Sequence, residues 1–376
     1  MIYLDNAATT YPKPKRVKKA VLDAITYCGG NPGRGAHSLS LRSSELVFDA
    51  RCEIADYLGI RKPESIVFTP NATFGLNLII KCRAQRGDHF LLSEQEHNAV
   101  LRPVERLKQD GIIDYSVFAN DGDVLESIRT KEKENTSVII CNPVSNVTGE
   151  RIPVEQIVSY AKSKGWFVIL DGSQWIGHGE INSSLMNQID ALAVPGHKGL
   201  FGIMGSGFLY LNHPNDLPPF LDGGSGTNSA EPFMPDSLPE RYEAGTLSVP
   251  AIASLAEGIR FIREYGAKAI YEKEKELSTF VSDGLRNIKG AKVYGSTKPD
   301  GAVVSFTIEG MTTGEVERKL DDTGICVRSG LHCAPLIHRH LGTYPNGTVR
   351  ISTSIFNRKA DLEGLIKAIN SIKTEK

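Results

Sequence analysis

From about residue 15 to residue 210, short β-rich apolar runs alternate with segments of helical periodicity, and this alternation narrows the possible folds. Strands are expected over 65–69, 89–93, 114–118, 137–141, 166–170, 190–194 and 206–211, with helices over 43–58, 73–82, 100–109 and 154–164. A chain that alternates in this way builds a mostly parallel sheet covered on both faces. The expectation is therefore an α/β protein whose larger domain, residues 15–250, holds a mostly parallel seven-stranded sheet. Segment 212–243 interrupts the pattern with many Pro and Gly, and loops of that length are usually functional or disordered. Beyond it, helices are expected over 251–265, 268–288 and 359–372, and strands over 302–308, 325–328 and 348–352. In the second of these helices Ile270, Leu277, Phe280, Val281, Leu285 and Ile288 share a stripe, while the charged run 272–276 faces water. Residues 251–376, together with 1–14, are expected to form a smaller α+β domain.

At 376 residues the chain is longer than a single core usually supports, so two domains are the default. With 40% hydrophobic and 23% charged residues it has the composition of a soluble globular protein. A net charge of -1 gives no reason to expect nucleic acid or a membrane surface as partner. No apolar stretch approaches the roughly 20 residues that span a bilayer. The N-terminus lacks the basic and long apolar segments of a secretory signal. Cys28, Cys52, Cys82, Cys141, Cys326 and Cys333 are scattered without paired spacing, which fits a reducing compartment. A cytoplasmic location is expected by elimination. Cys141 and Cys326 lie inside apolar runs and read as inert buried thiols.

Five expected strand ends, near residues 69, 93, 141, 170 and 194, each deliver polar residues, and ligands bind outside the carboxyl ends of such strands. One of these residues is Lys198, in the turn Pro195-Gly196-His197-Lys198-Gly199. Another is Asp171, at the end of the run 166–170. A lysine that holds an aldehyde cofactor as a Schiff base must be desolvated. Pyridoxal phosphate also needs an acid facing its ring nitrogen, and Asp171 is the candidate, with Gln174 able to meet the phenolic oxygen. Asp171 equally suits an ordinary turn cap. Thr69-Pro70-Asn71-Ala72-Thr73 offers a helix N-terminus for a phosphate, or a plain helix cap. Glu96-His97-Asn98 and Ser145-Asn146-Val147-Thr148-Gly149 bring His97 and Asn146 to the same edge. His97 there suits ring stacking or proton transfer, or a structural role.

The glycine-rich runs 202–207 and 223–226 lack the strand-before, helix-after context of a dinucleotide site. His332, Cys333, His338 and His340 meet no standard zinc spacing, so no metal is expected. Cys333 lies in Arg328-Ser329-Gly330-Leu331-His332-Cys333-Ala334-Pro335, a turn-rich and exposed context. There Arg328 and His332 are placed to lower the thiol pKa, unless the cysteine is incidental to the loop. Arg350 stands in an otherwise apolar strand and must pair with an anion, either a structural carboxylate or that of a substrate.

In these residues the chain resembles the cysteine desulfurases of the class V aminotransferase group, pyridoxal-phosphate-dependent transferases of fold type I. The resemblance runs nearly end to end, through Tyr3-Leu4-Asp5-Asn6-Ala7-Ala8-Thr9-Thr10, Arg34-Gly35-Ala36-His37-Ser38-Leu39-Ser40, Ala72-Thr73 and Glu96-His97. It continues through Ser145–Gly149, Asp171-Gly172-Ser173-Gln174, Gly196-His197-Lys198, Arg241-Tyr242-Glu243-Ala244-Gly245-Thr246, the Cys333 loop and Arg350. The resemblance implies that Lys198 is the Schiff-base lysine and Cα base, that Asp171 pairs with the pyridinium and that Gln174 meets the phenolic oxygen. His97 would stack on the ring and exchange protons, while Ala72, Thr73 and His197 hold the phosphate and Asn146 adds a cofactor contact. Thr246 would reach the phosphate of a neighbouring subunit, which implies a homodimer with shared active sites. Asn146, Arg350, Arg328, His37 and Ala8 would bind the substrate, L-cysteine, with Arg350 on its carboxylate.

Cys333, on the short loop of the less mobile branch, would take the sulfur as a persulfide with release of L-alanine, and would pass it to a sulfur-acceptor protein. Pro195 replaces a serine of the family pattern, Asn71 a glycine and Phe74 an acidic residue, and the 223–226 loop is atypical; these departures bear on the phosphate contacts. The alternatives are another class V enzyme, a selenocysteine lyase or an aminotransferase, or a non-catalytic sulfur relay of the same fold.

Overall fold

The computed structural model describes residues 1–33, 35–213, 217–297 and 299–374; Arg34 of the family motif lies outside the described residues. A short strand, β1 (Ile2–Tyr3), precedes helices α1 (Lys15–Tyr27) and α2 (Ser38–Leu58). An alternating series follows: β2 (Ile66–Thr69), α3 (Ala72–Arg83), β3 (Asp88–Ser93), α4 (Asn98–Gln109), β4 (Ile113–Phe118), α5 (Val124–Lys131) and β5 (Thr136–Cys141). It continues with α6 (Val154–Ser163), β6 (Phe167–Asp171), α7 (Ser183–Met186), β7 (Ala191–Pro195) and β8 (Gly207–Leu211). The remainder comprises α8 (Val249–Tyr265), α9 (Ala267–Arg286), β9 (Ala291–Tyr294), β10 (Val303–Ile308), α10 (Thr313–Asp322), β11 (Ile325–Cys326), β12 (Arg328–Gly330), α11 (Pro335–His340), β13 (Thr348–Ser352) and α12 (Lys359–Thr374).

All seven strands expected of the large sheet are present, in the order β2-β8-β7-β6-β5-β3-β4. β3 to β7 run parallel, and β8 is antiparallel to both of its neighbours. Because β2 and β7 are each antiparallel to β8, they share a direction, so the carboxyl ends of β2, β3, β5, β6 and β7 meet at one edge. Alternate side chains feed two cores, as a strand buried on both faces requires. Leu91, Ile139, Cys141, Val168, Leu170, Leu192 and Val194 enter one core; Phe90, Leu92, Val138, Ile140, Ile169, Ala191 and Ala193 enter the other.

A second, antiparallel sheet has the order β12-β13-β10-β9 and its own core, which includes Leu277, Val281, Phe306, Ile351 and Leu365. β1 pairs in parallel with β11, so the N-terminus belongs beside this smaller unit. Five expectations need correction. Glu274, in the charged run expected to face water, is 2% exposed and its Oε2 bonds His178 Nδ1 at 2.8 Å. Helix α8, placed by its position after residue 250 in the small domain, buries Ile252, Leu255, Ile259 and Ile262 in a core of the large sheet. The expected strand 325–328 is two strands with different partners, β11 on β1 and β12 on β13. Helix α2 starts five residues earlier than its apolar pattern, because His37 caps it by accepting from Ser40 N–H. Cys326 is only partly buried, whereas Cys141 is fully enclosed. Among its described residues, segment 212–243 has no helix beyond a single turn, Glu240–Tyr242, and no strand.

Candidate active site

At the carboxyl edge of the large sheet opens a cleft of about 490 Å³. It is lined by Ala72 and Thr73 at the start of α3, His97 before α4, Asn142 and Asn146 after β5, Asp171 and Gln174 after β6, and His197 and Lys198 after β7. Eight of the expected site residues thus converge on one cavity. Lys198 is partly accessible through the open cleft, yet its amine lies deep, and desolvation, together with nearby Arg350 and Arg328, outweighs Asp171 and pulls its pKa down to about 8. A lysine of that acidity has a far larger neutral fraction near physiological pH than a solvated lysine, as covalent chemistry on an aldehyde requires.

The Lys198 turn is built by the chain around it. Gly196 N–H donates to Ser206 O at 2.8 Å, closing the β7–β8 connection. A Cβ on Gly199 would stand 2.4 Å from Ile176 O, so the turn rests directly on the backbone after β6. From above, the N-terminal segment holds it. Thr10 N–H, Thr9 Oγ1 and Lys13 Nζ all donate to His197 O, at 3.1, 3.2 and 2.7 Å, and Thr10 Oγ1 donates to Lys198 O at 2.7 Å. Pro195, at the end of β7, pairs with Gly207 of β8 and lies beyond the last residue pair with β6.

Asp171 is 3% exposed and caps the turn that follows it while lining the cleft. Oδ1 accepts from Ser173 N–H at 3.0 Å. Gln174 Nε2 donates to Ala7 O at 3.0 Å, which brings Ala8 next to the cavity. His97 Nδ1 accepts from Ala99 N–H at 3.0 Å, so the neutral ring carries its proton on Nε2. Burial holds the pKa of His97 at about 4, and that of His197 also at about 4. Asn71 caps α3 by accepting from Phe74 N–H at 2.9 Å, which leaves the N–H groups of Ala72 and Thr73 at the helix start.

Cys333 sits on a short turn joined to this wall. Asn98 N–H donates to Cys333 O at 2.6 Å, and Asn146 Nδ2 donates to His332 O at 2.8 Å. Arg328 Nη2 lies 3.9 Å from the sulfur. Of the two cations expected near this thiol, only Arg328 is one. His332 is buried, its Nε2 faces Thr348, and desolvation drives its pKa down to about 2, so it is neutral. Arg350 is buried and pairs with a structural carboxylate, one of the two anions considered for it: Nη2 donates to Asp5 Oδ1 at 2.7 Å, and Nη1 donates to the carbonyl Asn146 O at 3.2 Å. His37 and Thr246 lie outside the cleft of their own chain, both exposed; Asn31 Nδ2 donates to Thr246 Oγ1 at 3.4 Å. The histidines weighed for zinc diverge. His338 Nδ1 bonds Thr343 Oγ1, while His340 turns to Glu94 and Asp121, a three-residue group outside the cleft.

The cleft fits pyridoxal phosphate. Asn142 Oδ1, Asn146 Oδ1 and His197 Nδ1 are buried without partners, and a depressed lysine, a buried acid and a helix N-terminus converge with them. Asn142, Lys13 and Asp5 were assigned no role from the sequence. Asn142 directly follows an expected strand and was within reach of that argument; Lys13 and Asp5 act from a segment with no strand or helix signal of its own.

Comparison with known proteins agrees with this geometry. The class V aminotransferase family model matches residues 2–365. A probable cysteine desulfurase of Methanothermobacter thermautotrophicus is 31% identical, over 99% of this chain and 94% of its own length. Among solved structures, the apo cysteine desulfurase of Thermococcus onnurineus superposes with a TM-score of 0.92 at 32% identity, covering 100% of this chain and 95% of the other. The cysteine desulfurase CsdA of Escherichia coli, in an S-sulfonic acid form, gives 0.88 at 26% identity, covering 99% and 94%. The chain belongs to the class V aminotransferase family, in its cysteine desulfurase group.

Proposed function

We propose that this protein is a cysteine desulfurase that converts L-cysteine to L-alanine and takes the sulfur on Cys333 as a persulfide. The observation that carries this reading is the stitching of the Cys333 turn to the wall of the Lys198 cleft through Asn98 and Asn146. A thiol fixed at that rim can attack a sulfur held above Lys198, and proximity of this kind supplies much of a reaction's acceleration.

Pyridoxal phosphate, when bound, supplies an aldehyde for covalent capture of amines and a protonated ring that takes up charge from the substrate carbon. Asp171 would hold the ring nitrogen and Gln174 the phenolic oxygen. Ala72 and Thr73 would offer N–H groups to the phosphate, together with His197. His97 offers a ring face and an Nε2 proton. Lys198, its pKa lowered to about 8, would anchor the cofactor and then remove the Cα proton. Asn146 and Arg350 hold the substrate, with Arg350 on the carboxylate and Ala8 at the wall. Arg328 Nη2 lies beside the Cys333 sulfur. As the thiolate attacks, a sulfur–sulfur bond forms and the substrate's carbon–sulfur bond breaks. The electron pair of that bond stays with carbon, which is protonated to give alanine.

The working unit in this reading is a homodimer with shared sites. His37 and Thr246 are exposed, and Leu39, Leu41 and Phe48 beside them are 43%, 51% and 61% exposed, an apolar surface suited to a second copy. His37 and Thr246 of one protomer then complete the cleft of its partner. A sulfur-acceptor protein would approach Cys333 from its solvent side. Six free cysteines fit the reducing cytoplasm, and among the described residues no helix is long and apolar enough to cross a membrane.

Mass spectrometry after exposure to L-cysteine without reductant tests the reading: Cys333 is expected to gain one sulfur atom. Cys333→Ala is expected to keep the yellow cofactor and to lose alanine release on the order of 100-fold or more. Full alanine release by this variant would refute sulfur transfer to Cys333.

A further inference from the structure

Arg350 is 2% exposed, and among the described residues the carboxylate it pairs with is Asp5. A guanidinium carries five N–H groups in a fixed fork. Asp5 Oδ1 takes one N–H of Nη2, and Asn146 O takes one of Nη1. Nε is buried with no partner. Two of the five N–H groups are therefore engaged, and the three that remain, Nε among them, are enough for a carboxylate to bind through two parallel bonds.

Asp5 is itself held firmly. It bridges to Ser352 of β13, two residues from Arg350, and its carbonyl accepts from Ala8 N–H at 3.1 Å and Tyr3 Oη at 3.1 Å. Asn6 Nδ2 donates to Ser352 O at 2.9 Å, and Ala7 N–H donates to Ser352 Oγ at 2.8 Å. The same segment, continued to Thr9, Thr10 and Lys13, clasps the carbonyls of His197 and Lys198. Residues 5–13 thus connect the arginine on the small sheet to the lysine turn on the large one.

We propose that Asp5 is a positioning residue: it holds the guanidinium of Arg350 so that the remaining N–H groups receive the substrate's α-carboxylate, at a place fixed relative to Lys198 by segment 5–13. This rests on the reading of Arg350 as the carboxylate ligand. Asp5 also supplies the anion that a buried guanidinium requires before substrate arrives. Without it the fork is held through Asn146 O alone, and the loss falls equally on bound substrate and transition state, so it appears in KM.

Steady-state kinetics of the cofactor-loaded protein with L-cysteine decide the matter. Asp5→Ala is expected to raise KM about tenfold with kcat within about twofold, the pattern of lost uniform binding. Asp5→Asn, whose oxygen still accepts, is expected to recover most of that loss. Arg350→Ala is expected to raise KM further. An unchanged or lower KM in Asp5→Ala, or a fall in kcat alone, overturns the proposal; a lower KM would mean that Asp5 competes with substrate. If Arg350→Ala also leaves KM unchanged, the reading of Arg350 fails as well. Should the alanine variant not fold, Asp5→Glu carries the same test, because the added methylene displaces the carboxylate and is expected to raise KM.

Discussion

The Lys198 turn and the Cys333 turn are joined to the same cleft wall and are both braced, but by different means. Four donors from residues 9–13 fix the carbonyls of His197 and Lys198, and the lysine amine lies in the depth of the cavity. The Cys333 turn is only partly exposed, with His332 and Ala334 buried, and it holds two non-glycine residues in the left-handed region, His332 at φ 47° and Cys333 at φ 58°. Each such residue costs roughly 1–2 kcal/mol. The bonds from Asn146 and Asn98, and that between His332 and Thr348, offset this cost. A base for carbon acids works best desolvated; a sulfur carrier must be open both to the cleft and to solvent. Both turns are braced, one by donors to its carbonyls and the other against left-handed backbone.

The harshest way to break this comparison is to remove the buried amine. Lys198→Ala is expected to reduce alanine release from L-cysteine on the order of 10⁴-fold, because both anchor and base are lost. Its melting temperature is expected not to fall, since a desolvated cation is removed rather than a packing element. Retention of more than a tenth of the activity would shift the base elsewhere.

A gentler probe uses the depressed pKa directly. With Lys198 near 8, cofactor uptake by the apoprotein is expected to speed up about tenfold from pH 7 to pH 9 and then level off. Stopped-flow absorbance reads this rate. A rise that continues steeply to pH 10 would mean an ordinary solvated lysine.

The smallest effect concerns what the two turns share, their neutral histidines. Burial lowers His97 and His197 to about 4 and His332 to about 2, all below the ordinary value of 6.5. The unfolded chain therefore takes up these protons first as pH falls. Stability from this source is complete above about pH 6.5 and declines towards pH 4, by up to about 1.4 kcal/mol per pH unit for each histidine that stays neutral. Urea midpoints at pH 7.5 and pH 5 measure it, and equal midpoints would show that the histidines charge freely in the folded state.

The large sheet and most of its cleft were legible in the sequence because their signals are local. Strand-length apolar runs, each ending in polar residues, are visible without knowing what they pair with. The convergence of Thr73, His97, Asn146, Asp171 and Lys198 follows once the five carboxyl ends share an edge. Helix α8 was misplaced because its amphipathic pattern says only that one face is buried, not which sheet buries it. His332 was taken for a cation because its burial depends on β13, which is distant in sequence.

What the sequence determined by itself was the alternation of elements, and with it the edge at which chemistry-bearing residues gather, since period and turn chemistry are properties of neighbouring residues. Only the tertiary structure decided which charge stands against which. Asp5 and Arg350 are 345 residues apart, and the lysine turn is clasped by a segment almost 190 residues away. Such contacts are set by packing of whole layers, and the desolvation that tunes Lys198 exists only once those layers have closed around it.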